Sequence, residues 1–428
     1  MGVILGSSAW LLAGAVVSRG STLVAITLVA RLLSPTEFGR FAVLQITVML
    51  LAGVAGLGLG IALTRQVAAA GVSSREEAGK YIGLALLTTL ITGSATTGIY
   101  IVARPVVASE ILQDPKATTA VIASAGAVLC GAIAANSQGA LLGLEAFRST
   151  ALSQWSQGLG VGGALLIGAR IGGLQGALAG LSIGSAVGAV VSAAFLAKEL
   201  SERGISISWL PNKPIWRSLW KPAAPAFAAF LVVSLALLLG QLALTREAHG
   251  YAEVGVFNLA YRWHIAVLFV PAVIAPALLP ALTRLLAEGN EIGGRRLFQI
   301  YGAGTLILTV LPALGMMLAA RPILSLSGNY YAERSVPLVV LALASIPSAA
   351  NNVLSAGALG IGAIRAWLMS DIALASVLLG SAIILVPTHA ATGLAIAYLL
   401  AYIVTDAVLI YPLRRLFTAR ARQPVQDL

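Results

Sequence analysis

The chain has 428 residues, 58% of them hydrophobic and only 10% charged, with a mean hydropathy of +0.93. A soluble domain carries about 25% charged and about 45–50% apolar residues, so this composition leaves too few polar side chains to cover a water-exposed surface and excludes a soluble enzyme. The formal charge of +11 would suggest nucleic acid in a soluble chain; in a membrane protein it first raises the question of how Lys and Arg divide between the two faces.

A spanning helix needs about 20 mainly apolar residues, and twelve such stretches are predicted: 9–33, 39–63, 80–103, 118–143, 150–169, 173–197, 223–244, 254–282, 297–320, 335–360, 367–386 and 391–413. Lipid offers no partner to free backbone groups, and the stretches are too long and too evenly apolar for barrel strands, so they are expected to be helices. The predicted fold class is an all-α integral membrane protein with 12 transmembrane helices. The first stretch is too long for a signal-peptide core and no Lys or Arg precedes it, so it reads as a retained helix. The longest connection, Lys198 to Lys221, leaves no room for an extramembrane catalytic domain between helices. The single cysteine, Cys130, excludes an intrachain disulfide and a Cys-based metal site. Gly158 to Gly163 matches GxGxxG, but no strand precedes it, so it reads as helix packing and not as a dinucleotide site. No cofactor is expected.

When alternate loops are assigned to opposite sides, the set containing both termini holds seventeen Lys and Arg and the other set eight. The positive-inside rule therefore places both termini in the cytoplasm. Most of the net charge is explained by topology, without nucleic acid.

The sequence also repeats. Glu37-Phe38-Gly39-Arg40-Phe41 is matched by Glu253-Val254-Gly255-Val256-Phe257, Thr64-Arg65 by Thr283-Arg284, and GLEAFR at Gly143 to Arg148 by GIGAIR at Gly360 to Arg365, at offsets of 216, 219 and 217. This predicts an N-terminal lobe at 1–203, a cytoplasmic linker at 204–221 and a C-terminal lobe at 222–428 ending in a short basic tail. Six helices per lobe make the repeat parallel. Such paired lobes enclose a central cavity and rock about it to give alternating access.

The segment Arg31-Leu32-Leu33-Ser34-Pro35-Thr36-Glu37-Phe38-Gly39-Arg40-Phe41-Ala42 resembles the signature that follows the first helix in polysaccharide biosynthesis (O-antigen) flippases of the multidrug/oligosaccharidyl-lipid/polysaccharide (MOP) exporter superfamily. Gly58-Leu59-Gly60 with Thr64-Arg65, Leu279 to Arg284, and Pro322 to Arg365 with Gly328-Asn329-Tyr330-Tyr331 are similar as well. The resemblance implies movement of a polyprenyl-pyrophosphate-linked oligosaccharide from the cytoplasmic to the external leaflet of a bacterial inner membrane, coupled to an ion (proton or sodium) or to the membrane potential. It also implies glycosyltransferases and a polysaccharide polymerase as pathway partners.

Several polar residues in the spans are candidates for that work. An Arg at mid-membrane costs roughly 3 kcal/mol even on insertion scales, so Arg19 in the first helix and Arg262 in the eighth call for a reason. A guanidinium from each lobe could hold a pyrophosphate through forked, charge-assisted bonds; the competing reading is an ion pair or helix–helix bond inside the first lobe for Arg19 and snorkelling for Arg262. Asn258 lies one turn before Arg262. Gln45, Asn136 and Asn352, the last two 216 apart, could line a sugar path or simply bond neighbouring helices. His264 is a further candidate, or a packed neutral imidazole. Asp371 and Asp406, acids placed within spans, are candidates for ion coupling, against pairing with Arg365 and with Arg414 or Arg415. Arg31, Glu37 and Arg40 could form an external gate with Arg246, Glu247 and Glu253, or be solvated loop charges. Gly172, Gly176, Gly180, Gly184 and Gly188 predict a smooth packing ridge on the sixth helix, and Pro222, Pro225, Pro271, Pro276 and Pro280 predict bends. Two alternatives remain: a multidrug/cation antiporter of the same superfamily, which typically needs an acid deep in the first or seventh helix that this chain lacks, and a membrane-embedded glycosyltransferase or polymerase, which needs a sizeable soluble loop or an acidic and His-bearing catalytic set.

Overall fold

Local chemistry sets the helix boundaries. The computed structural model describes residues 2–209 and 213–418; the basic tail with Arg420 and Arg422 lies outside the described residues. Helix α1 (Gly2–Leu32) is followed by a capping box: the Ser34 hydroxyl accepts from the Glu37 N–H, the Glu37 carboxylate accepts from the Ser34 N–H at 3.0 Å, and Pro35 opens α2 (Pro35–Gly56). Ser74 likewise caps α4 (Arg75–Val102), which follows α3 (Leu59–Ser73). The first unit continues through the single turn α5 (Arg104–Val106), α6 (Thr118–Gly143), α7 (Phe147–Glu202) and α8 (Lys213–Leu244). The remainder is α9 (Gly250–Val267), α10 (Phe269–Ala287), α11 (Glu291–Leu318), the short α12 (Ala320–Ser325) and α13 (Asn329–Glu333), α14 (Val336–Gly360) and α15 (Ile364–Thr418). No strand occurs among the described residues.

Nine described helical segments are long and apolar enough to cross a membrane. Two of them are double: at 1.5 Å per residue the 56 residues of α7 would reach about 84 Å, nearly three times the thickness of a hydrocarbon core. The chain instead reverses at Gly172 and Gly173, and again within α15 at Ala390. After the first reversal Gly180 lies on the backbone of Ala164, Gly184 on Val161 and Gly188 on Gln157, an antiparallel pair in close contact. The glycine ridge packs as expected from Gly176 to Gly188, while Gly172 belongs to the turn. With these pairs resolved, the predicted stretches fall in helical segments, the second divided between α2 and α3 and the eighth between α9 and α10.

Packing divides the chain into residues 1–238 and 239–428. In the first unit α1 runs parallel to the first half of α7 (Gly14 against Ala151, Gly162 against Ala25) and α2–α3 parallel to α6 (Gly131 against Ala52, Gly143 against Val67). Helix α4 runs antiparallel to α6, with Thr89 bonded to Asn136 and Tyr100 to Ser124. Alternate connections therefore meet at opposite ends. Arg40 pairs with Asp114 at one end, and Arg75, Glu145, Glu202 and Arg203 line a single recess at the other. In the second unit Glu247, Glu253, Arg334 and His389, from three connections, share one recess.

The internal repeat reappears in backbone geometry. Gly173 (φ 55°, ψ −134°) and Ala390 (φ 45°, ψ −126°), 217 apart, make the same reversal. The turn after α6 has N–H bonds from Leu144 to Ala140, Glu145 to Leu142 and Ala146 to Leu141; that after α14 has Ile361 to Gly357, Gly362 to Leu359 and Ala363 to Ala358, every position shifted by 217.

The segment that follows α7 is anchored, not loose. Residues 205–209 run extended along α4, the Ser208 N–H donates to the Gly79 carbonyl at 3.4 Å, and the Ser206 and Ser208 carbonyls sit directly on Gly79 and Gly83. Any Cβ on Gly79 or Gly83 would displace this strap. Residues 213–221, expected as linker, are instead the first turns of α8, and the helix continues through Pro222 and Pro225.

Candidate functional site

The second helix of the first unit, expected as one span over 39–63, is interrupted. Leu57 (φ 51°, ψ 24°) and Gly58 (φ 66°, ψ 10°) are both left-handed, ending α2 and restarting as α3. A non-glycine residue in that conformation costs about 1–2 kcal/mol, so surrounding contacts must hold it. They come from neighbouring helices: Thr92 donates to the Ala55 carbonyl at 2.6 Å, and Asn136 Nδ2 to the Gly56 carbonyl at 3.4 Å and to the Thr89 hydroxyl at 2.5 Å. Irregular backbone at membrane depth is tolerated where it lines a cavity, and Gly56, Gly58 and Gly60 line one here. A cavity of about 550 Å³ opens at the break between α2, α3, α6 and α8, with Thr64, Asn136 and Gln138 as polar lining and Met49, Phe227 and Phe230 as apolar wall. The Phe230 ring rests on Gly53, which has no side chain to obstruct it.

The second unit is interrupted in the matching predicted stretch, though nearer its start. Helix α9 stops at Val267 and α10 begins at Phe269. Pro271 explains the break: its ring conflicts with the carbonyl four residues earlier, that of Val267, and it offers no N–H to it. Alongside runs an aromatic column. Phe257 stacks on Tyr261, Tyr261 on His264, Tyr398 meets both Tyr261 and His264 edge-on, and Tyr402 follows one turn beyond. Tyr402 bonds Ser348, and both Asp371 and Asp406 lie within electrostatic reach of its hydroxyl. Asp406 sits beside Asn351, whose amide is within reach of its carboxylate, and the Asp406 Oδ1 atom is buried.

The sequence candidates fall into distinct environments. Arg19 is exposed at the eighteenth of the 31 positions of α1, one turn before Thr22, whose hydroxyl is tied to the Ser18 carbonyl at 2.8 Å. Arg262 is half-buried on α9 beside Tyr261. Asn258 bonds Gln241 at 2.8 Å and the Val254 carbonyl at 3.2 Å, and His264 is 1% exposed. Its Nδ1 lies 2.8 Å from the Leu341 carbonyl, which can only accept, and from the Ser345 hydroxyl; these contacts hold the ring against α14. Gln45 is buried in α2, whereas Asn352 is half-buried and makes no hydrogen bond among the described residues. Asp371 and Asp406 make no ion pair among the described residues. Of the gate candidates, Glu37 is used in the α2 cap and Arg40 by Asp114 at 2.9 Å, while Arg31 is exposed. Glu253 accepts from the Ala391 N–H at 3.2 Å and faces Arg334 at 3.8 Å, within its own unit.

Thr89, Thr92, Asn351, Tyr398 and Tyr402 were missed by the sequence reading. The available signals were Gly56-Leu57-Gly58-Leu59-Gly60 within a span and the Tyr398/Tyr402 pair at helical spacing.

A family model described as "Polysaccharide biosynthesis protein" matches residues 4–286. The chain belongs to this family. Its fold is that of MOP superfamily transporters. An inward-facing multidrug resistance MATE family transporter of that superfamily is similar over 97% of this chain and 96% of its own, with TM-score 0.72 at 18% identity. The outward-facing conformation of such a transporter matches with TM-score 0.70 at 18% identity, over 97% of this chain and 95% of its own. A MOP superfamily transporter from Pyrococcus furiosus, described as having a binding pocket of reverse polarity, matches with TM-score 0.69 at 17% identity over 97% of this chain and 96% of its own. No curated protein matches. The chain is thus a multi-pass membrane protein of a polysaccharide biosynthesis family with a transporter fold.

Proposed function

We propose that the protein is a flippase that moves a polyprenyl-pyrophosphate-linked oligosaccharide from the cytoplasmic to the external leaflet of a bacterial inner membrane by alternating access. The observation that carries this reading is an intramembrane guanidinium in each repeat, Arg19 on α1 and Arg262 on α9, in a chain of a polysaccharide biosynthesis family. In this reading the two cations hold the pyrophosphate, the glycan passes through a hydrated interior, and the polyprenyl tail stays in lipid. The broken helices α2–α3 and α9–α10 are where such folds place their binding sites, and the polar lining at Asn136, Thr64 and Gln138 suits sugar hydroxyls. The end rich in Lys and Arg is the cytoplasmic one, with both termini on that side. Glycosyltransferases and a polymerase act before and after it.

Asp406 and Asp371 are the proposed coupling groups. An acid at membrane depth with no ion pair among the described residues is costly as a bare carboxylate, and for Asp406 the neutral side chains of Asn351 and Tyr402 lie near it. Arg31 remains as the external gate candidate, since Glu37 and Arg40 already serve their own unit.

The test is glycan export in a strain depending on this protein. Arg19→Ala and Arg262→Ala should each abolish export at unchanged protein level and leave lipid-linked glycan in the inner leaflet, with Arg→Lys partly active. Normal export by both alanine variants overturns the proposal. A drug/cation antiporter, the alternative for a chain similar in fold to multidrug resistance transporters, would meet the positive charge of Arg19 in its first helix; drug sensitivity of the deletion strain tests it.

A further inference from the structure

We propose that the N-terminal turns of α8, Lys213 to Lys221, form a docking surface for anionic phospholipid headgroups. At 100° per residue Lys213, Arg217 and Lys221 share an arc of about 80°, Trp216 and Trp220 adjoin it, and Ile215, Ser218 and Leu219 lie opposite. The structure uses these faces differently. Ile215 and Leu219 are buried in the core of the first unit, and Ser218 is fixed by Gln66, whose side chain donates to its carbonyl at 3.0 Å, and by the Tyr81 hydroxyl at 3.2 Å. The segment is therefore anchored, with Lys213, Arg217 and Lys221 facing outward and exposed.

These cations differ from others at the same end. Lys80, Lys198 and Arg203 each pair with an acid one turn away, Glu76, Glu202 and Glu199. Lys213, Arg217 and Lys221 have no ion pair among the described residues, and the sequence contains no Asp or Glu between Glu202 and Glu247. The exposed face is thus uniformly cationic, while an acid, Glu77, reaches the opposite face through the Tyr81 hydroxyl. Trp216 and Trp220 stack at 5.7 Å with their planes 12° apart, and Trp220 continues to Phe227 at 6.3 Å. An aromatic belt of this kind marks headgroup depth.

The same helix sets that depth. From Pro222 to Leu244 it is apolar, so Lys221, Arg217 and Lys213 stand at about 0, 6 and 12 Å from the start of the apolar stretch, within the layer occupied by headgroup phosphates. Each cation near such a surface strengthens anionic-lipid binding roughly fivefold. The partner is the phospholipid itself: the cations are spaced along the membrane normal and flanked by indoles, an arrangement that one free phosphate would not fill.

The experiment is native mass spectrometry of the full-length protein released from nanodiscs of phosphatidylglycerol and phosphatidylcholine. The wild type should retain phosphatidylglycerol preferentially, and Lys213→Gln/Arg217→Gln/Lys221→Gln should reduce retention at least tenfold. A control losing the same charge at Arg284, Arg296 and Arg365 should reduce it less than threefold. The Lys213→Arg/Lys221→Arg variant should retain the lipid, and the thermal midpoint of the triple variant in neutral detergent should be unchanged, which separates lost binding from lost folding. Equal losses in the two triple variants, equal retention of phosphatidylcholine, or release of the lipid by excess inorganic phosphate would each overturn the proposal.

Discussion

The two chain reversals offer a direct test of backbone strain, because the repeats solve the same geometry with different residues. Gly173 and Ala390 have nearly the same dihedrals, φ 55° and 45° with ψ −134° and −126°. This region suits glycine, and a residue with a Cβ pays about 1–3 kcal/mol there. Glycine gives back part of the difference, about 0.4–1 kcal/mol, through the larger entropy of its unfolded chain. Ala390→Gly should therefore stabilise the protein by about 1 kcal/mol, and Gly173→Ala should destabilise it by a similar amount. The second change is purely conformational, since a Cβ built on Gly173 meets no atom within 4 Å. The two sites belong to separate packing units, so the double variant should return to within about 0.5 kcal/mol of wild type. In a chain of this size the thermal midpoint would move by only about 1 °C, which makes denaturant titration in detergent micelles, followed by tryptophan fluorescence, the suitable assay. Destabilisation by Ala390→Gly, or a neutral Gly173→Ala, would refute the reasoning.

Asn136→Ala should cost about 2 kcal/mol, since it removes the bonds to Thr89 and to the Gly56 carbonyl at the helix break; a double-mutant cycle with Thr89→Val should show coupling, and additive effects would count against the bond. Gly79→Val or Gly83→Val should expel the 205–209 strap and raise tryptic cleavage at Arg203, with a stability loss of about 1–3 kcal/mol; unchanged cleavage would mean that the strap is not held by that groove. Arg40→Gln, at a pair whose side chains are 25% and 30% exposed, should shift stability by less than about 1 kcal/mol, and less again in high salt, as read from denaturation midpoints at two salt concentrations. Glu253→Gln should cost about 1 kcal/mol by weakening the bond to the Ala391 N–H at the start of the last helical half, which hydrogen exchange at residues 391–394 would report.

Helix content, the apolar stretches, the alternation of chain direction and the repeat were legible in the sequence, because each depends on local apolarity or on residue identity at a fixed offset. The offset of 217 between GLEAFR and GIGAIR reappears as one set of turn hydrogen bonds, since a turn of a few residues is specified by those residues. The polar candidates were also legible, as rare charges in an apolar chain. Their partners were not. Asn136 ties off a broken helix, His264 is locked to α14, and Glu37 and Arg40 are engaged in their own unit, contacts that join residues far apart in the chain and follow only from packing. The interruption at Leu57 was likewise hidden, because a left-handed leucine runs against local preference and persists only while Thr92 and Asn136 satisfy the carbonyls it frees. Sequence alone determined which segments are apolar enough to cross a membrane and which charges are anomalous within them. The tertiary structure decided where the helices break and which polar groups line the cavity, because those outcomes depend on satisfying backbone groups across helices.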